Sequence, residues 1–165
     1  MTITVTLTEV EKSWAVQLAT SVHDSAGKQM LPDGKIDPSK TSKAIDIIGF
    51  SGELAFAKLV NQFPATQTDG PSAVDLVVEG KAVDVKTTDR DNGQLLVRPK
   101  CRGNSAEIFV LMTGTLDKGF VYHGGLPAAE VFQDKYLTDL GHGPTYAIPQ
   151  MLLNKQIFNV VHQAE

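Results

Sequence analysis

The chain has one cysteine, Cys101, in 165 residues, so it has no internal disulfide framework and fits a reducing compartment. It also lacks any apolar run near the roughly 20 residues a membrane span needs. Met1 is followed by TITVTLTEVEKS, with neither a basic start nor an apolar core, so no signal peptide is expected and a cytoplasmic setting follows. There is no excess of basic charge. Fifteen Lys and Arg against nineteen Asp and Glu leave a net charge of −4, which argues against a nucleic-acid coat protein. That balance still admits an enzyme that meets nucleic acid through one local patch and a divalent cation. The histidines His23, His123, His142 and His162 are scattered, and none pairs with Cys101 at a zinc-ligand spacing. Phosphate-loop glycines, a serine elbow, internal repeats and linkers are likewise missing. What remains is 42% hydrophobic and 21% charged, the composition of one globular domain with a proper core.

Thr8 followed by Glu11 has capping-box spacing, and Val10, Trp14, Leu18 and Val22 recur at helical intervals, predicting a helix over 9–24. Residues 27–38 carry two prolines and Gly34 and read as a loop, with Asp37-Pro38 as a helix entry. A second helical stretch is predicted over 51–60 through Leu54, Phe56, Ala57 and Leu59, with Gly49 and Gly52 around its start and Phe63-Pro64 as its stop. Beyond it, a Val-rich hairpin is followed by strands over 94–98, 107–112 and 119–123, a short helix over 127–132, and an edge segment at 147–149. This order predicts an α/β or α+β domain, a mixed sheet of about five strands flanked by helices.

The hairpin, SAVDLVVEGKAVDVKTT over 72–88, carries the chemistry. Asp84 and Lys86 alternate with Val83 and Val85 and so share a face. If Glu79-Gly80 is a two-residue turn, Val78 pairs with Lys81 and Asp75 falls opposite Asp84. A three-residue loop would instead set Asp75 against Val85 and turn the two carboxylates to different faces. Val74, Leu76 and Val78 on one side, with Ala73, Val77 and Ala82 on the other, predict central strands covered on both faces. Two opposed carboxylates repel unless a proton or a metal sits between them. Hard oxygen ligands suit Mg²⁺ or Mn²⁺.

A Glu-bearing helix, an Asp-bearing strand and an Asp-x-Lys strand, in that order, resemble the PD-(D/E)XK nuclease superfamily with its restriction-endonuclease-like fold. The resemblance covers roughly 49–123: GFSGELAFAKL for the first helix with Glu53, AVDLVVEG with Asp75, and AVDVKTT with Asp84 and Lys86. EIFVLM and GFVYHG resemble later strands of small phage-encoded or restriction-type members. The residue before Asp75 is Val74, not Pro. On this resemblance the whole of 1–165 is one nuclease-like domain, with 1–48 an N-terminal helical part and 49–123 the catalytic core.

The resemblance implies Mg²⁺-dependent hydrolysis of phosphodiester bonds in DNA. Asp75 and Asp84 would ligate the metal, with the Val85 carbonyl and Glu53 as further ligands. Lys86 would act as base or as charge stabiliser. Glu53 has a second explanation, an acidic residue in a helix's first turn opposite the dipole. Arg90, Arg98, Lys100 and Arg102 follow the Lys86 strand and would contact phosphates, or form an ordinary solvated loop. Cutting both strands favours a homodimer, though no interface is legible. The rival functions are a catalytically inactive DNA-binding or regulatory protein of the same fold, and an interaction protein whose acidic pocket holds Lys86 alone.

Overall fold

The computed structural model describes residues 2–28, 41–62 and 74–160. In chain order these form strand β1 (Ile3–Val5), helices α1 (Glu9–Lys28) and α2 (Ser42–Leu59), and strands β2 (Leu76–Val78), β3 (Lys81–Thr88), β4 (Leu95–Val97), β5 (Ile108–Thr115) and β6 (Gly119–Pro127). Helix α3 (Ala128–Val131) and strands β7 (Leu137–Asp139) and β8 (Pro144–Ile148) complete them. The architecture is α+β, with a five-stranded mixed sheet in the order β1-β6-β5-β3-β2. Only β3 and β5 run parallel; the other neighbours are antiparallel. A second, antiparallel sheet has the order β4-β8-β7. Among the described residues no helix is long and apolar enough to cross a membrane.

Local chemistry explains where the helices begin. The capping box forms as its spacing predicts: Thr8 N–H donates to Glu11 Oε2 at 2.7 Å and Glu11 N–H to Thr8 Oγ1 at 3.2 Å. Helix α1 runs past the predicted end to Lys28, and the rest of the predicted 27–38 loop, with the Asp37-Pro38 entry, lies outside the described residues. Helix α2 begins at Ser42, not Ser51, because Thr41 caps it by accepting the Ala44 N–H at 3.1 Å. Gly49 and Gly52 therefore lie inside a continuous helix, which also runs unbroken across residues 48 and 49.

The main sheet has two different faces. Alternation along β3 sends Val83 and Val85 toward α2, where Leu54, Phe56, Val110, Met112, Phe120 and Tyr122 close the larger core. Phe56 stacks on Tyr122 with centroids 5.9 Å apart. The other face presents Asp84 and Lys86 beside their β5 partners Phe109 and Leu111. Phe109, Leu111 and Leu126 pack there against Leu95, Val97, Tyr146 and Ile148 of the second sheet.

Three expectations need correction. Strand β2 is an edge strand with Val77 59% exposed, so β3 is central but its hairpin partner is not. The 94–98 strand exists as β4 but belongs to the second sheet, and β1 takes the fifth place in the main one. Three residues of β1, Ile3-Thr4-Val5, are too short to show a period, and only pairing with Tyr122, Val121 and Phe120 makes them a strand. The 147–149 segment is not an edge: β8 lies between β4 and β7.

Gly52 sets how closely α2 approaches β3. An added Cβ would stand 2.7 Å from Thr87 Cβ and nearer still to its hydroxyl, inside the van der Waals limit of a branched side chain. Gly52→Ala is expected to cost about 1–3 kcal/mol by overpacking, measured by urea denaturation. A stability equal to wild type would mean α2 has room to move.

Candidate functional site

The site forms where β2 stops. Its first residue, Leu76, pairs with Val83, so beyond Asp84 strand β3 has β5 on one side and, among the described residues, no strand on the other. The turn is the two-residue form, Val78 pairing with Lys81 across Glu79 (φ 51) and Gly80 (φ 77). Two positive φ values give a primed turn, whose twist matches the hairpin. The alternative three-residue loop is thereby removed. Asp75 lies one step before β2, its N–H donating to Val83 O at 3.0 Å. Its Oδ2 accepts the Val85 N–H at 2.7 Å, so a carboxylate replaces the missing strand partner. Counting outward from the Leu76–Val83 pair sets Asp75 opposite Asp84. The Val85 carbonyl lies on the same edge as its N–H.

Asp84 is buried, at 8% exposure. Its Oδ1 lies 2.6 Å from Lys86 Nζ, a close contact between opposite charges. Its Oδ2 accepts from Asn104 Nδ2 at a long 3.4 Å. Burial alone would lower the Lys86 pKa, but the neighbouring Asp84 carboxylate outweighs it and holds the ammonium above its usual range.

Glu53 reaches the same group from α2, one residue after the Gly52 contact with Thr87. It is half-buried. Burial first, then the charges of Asp75 and Asp84, push its carboxyl well above the usual range, partly opposed by Lys86. Asp75 is lifted to about 6, again by burial and then by Asp84, against the Val85 N–H and Lys86. The helix-dipole explanation of Glu53 fails, because α2 has no acidic residue in its first turn and Glu53 lies deep within the helix.

The four residues singled out in the sequence are thus within electrostatic reach of one another. The predicted basic cluster is less uniform. Arg102 belongs to the second sheet's packing: Nη2 donates to Phe132 O at 3.0 Å and Tyr146 Oη at 2.8 Å, with its guanidinium over both rings. Lys100 is exposed on the 3₁₀ turn Pro99–Gly103. Arg90 is exposed, Arg98 half-buried, and both have interactions of their own. Asn104 was not singled out in the sequence, since an Asn in a Gly-Asn-Ser loop needs no partner to explain it.

Among the described residues no three His, Cys, Asp or Glu side chains form a ready-made metal group. The donor chemistry nonetheless suits a small hard cation: the oxygens of Asp75, Asp84 and Glu53, a carbonyl at the same edge, and more negative than positive charge. Comparison with family models, with curated proteins and with solved structures finds no match to this chain.

The raised Asp75 pKa fixes a sign for stability. Between the ordinary value of 3.8 and about 6 the folded state binds more protons than the unfolded, so stability falls as pH rises through that window. In EDTA, Asp75→Asn should flatten this fall while keeping an acceptor for the Val85 N–H. Denaturation midpoints from pH 4 to 7 test it, and an unchanged slope in the variant would assign the fall to other groups.

Proposed function

We propose that this protein is a metal-dependent nuclease that hydrolyses phosphodiester bonds in DNA. One observation carries the reading: Asp75, one step before β2, is held opposite Asp84 of β3, with Lys86 against Asp84 and Glu53 arriving from α2. Such an arrangement keeps excess negative charge in a half-buried place, which a divalent cation relieves. Asp75, Asp84, the Val85 carbonyl and Glu53 would hold Mg²⁺, or Mn²⁺ in its place. When bound, such an ion neutralises charge on the scissile phosphate and acidifies an attacking water.

The chain's own groups do the rest. Asp75 stays oriented through its bond from Val85 N–H, and Asp84 through Asn104. Lys86 keeps its proton beside Asp84, which supports stabilising the charge that grows on phosphorus over acting as the base. Its side chain is 32% exposed against 11% for Asp84, so it is the member of the pair within a substrate's reach. Lys100, exposed on the turn after β4, is a basic residue open to phosphates.

A second reading has an observation of its own. The Lys86–Asp84 contact at 2.6 Å already compensates one carboxylate, as expected of a nuclease-like fold that binds or interacts without turnover.

The test is cleavage of supercoiled plasmid, linear duplex and single-stranded DNA with Mg²⁺, Mn²⁺ or EDTA. Cutting is expected only with metal, and to fall at least about 100-fold in Asp84→Ala and in Lys86→Ala. Wild type that cuts no form of DNA better than the variants would sink the enzyme. A gel shift surviving in EDTA would then support the binding module.

A further inference from the structure

Strand β6 has one residue more than β5 where the two pass. Leu111 pairs with Gly124 and Met112 with Tyr122, which leaves His123 as the bulged residue. Phe120 and Tyr122 enter the α2 core, so Val121 and His123 face the opposite side of the sheet, the side of Asp84 and Lys86. Thr113 joins it there, with Oγ1 2.7 Å from His123 Nε2.

The next residue explains what the bulge carries. Gly124 has φ +104, and an added Cβ would stand 2.6 Å from Asn154 O and 2.8 Å from Lys155 N. The segment crossing it is tied down by Gly125 N–H to Asn154 O at 3.1 Å and Asn154 N–H to Gly125 O at 3.0 Å. A glycine with no side chain thus lets the Lys155 backbone pass against the residue next to His123, within electrostatic reach of its ring. Burial first, then the Lys155 ammonium, hold the imidazole below its usual range. Among the described residues no carboxylate pairs with either side chain. An ammonium, an imidazole and a hydroxyl grouped without a negative partner make a seat for an anion.

Position indicates which anion. Lys86 pairs with Leu111 and Leu111 with Gly124, so roughly two strand spacings, about 10 Å, lie between Lys86 and the bulge. Phosphates of one DNA strand rise roughly 3.4 Å each along the axis, so about three nucleotides cover that gap. We propose that His123 on the β6 bulge and Lys155 on the segment bonded to Gly125 form a second phosphate contact that holds the substrate strand some three nucleotides from the cleaved bond. This rests on the nuclease reading above.

Fluorescence anisotropy with labelled single-stranded and duplex DNA, titrated with NaCl in Ca²⁺ and in EDTA, tests it. Lys155→Ala is expected to weaken binding about three- to tenfold and to reduce the slope of log K against log salt by about one. Lys155→Glu should weaken it further. Lys155 is exposed, so neither change should alter the thermal midpoint, whereas His123→Gln should weaken binding with the slope kept. Wild type that binds DNA while both Lys155 variants match its affinity and slope overturns the inference alone. Wild type that neither binds nor cuts DNA overturns the inference together with the function beneath it.

Discussion

The bond from the Val85 amide to the Asp75 carboxylate is the interaction on which the site depends. Strand β2 is only three residues long, and among the described residues no strand reaches the Val85 amide past its first residue. Leaving a buried N–H unsatisfied costs about 1–3 kcal/mol. Asp75 removes that cost with its side chain, and the same bond presses its carboxylate against β3 opposite Asp84. A backbone need and an electrostatic conflict are therefore created by one residue.

Magnitudes show which of the two prevails. Two unit charges about 5 Å apart at an effective dielectric near 20 repel by roughly 3 kcal/mol. A hydrogen bond to a charged acceptor contributes about 1.5–3 kcal/mol, so it at most balances that repulsion. A neutral Asn or Ser would accept the same N–H without the conflict. Lys86 compensates one carboxylate, and Glu53 adds a third. The remaining excess shows as carboxyl pKa values raised at Asp75 and Glu53. An edge-capping role explains why an acceptor is present, but not why three acids converge. That difference is what favours a cation site over a purely structural one.

The hairpin was legible in the sequence because its signals are local: a period of two, a Glu-Gly turn, and a pair of acids whose opposition follows from counting. The first helix was legible through its capping box, though not its length. Other features depend on distant partners. Strand β1 exists only against β6, and β4 joins β8 some fifty residues away. Arg102 looked like a member of a basic patch because a linear string does not reveal Phe132 and Tyr146 beside it. Glu53 was ambiguous for the same reason. Its position in the sequence allowed a first-turn role until Thr41 was seen to start the helix earlier.

The second sheet supplies what the hairpin alone lacks. A bare hairpin face would leave Asp84 and Lys86 in water, where their interactions are weak and screened. Covering Phe109 and Leu111, the β5 partners of these two residues, removes water from one flank of the pair. Arg102 fastens that cover through Phe132 and Tyr146, and the turn it belongs to leads directly to Asn104 on Asp84. Among the described residues no strand covers the other flank, because β2 starts at Leu76. The pair is thus desolvated enough for its charges to matter, while the Lys86 side chain stays 32% exposed. A longer β2 would satisfy Val85 with backbone and close that side. The shortness of one edge strand is therefore the feature that separates this charged edge from an ordinary sheet.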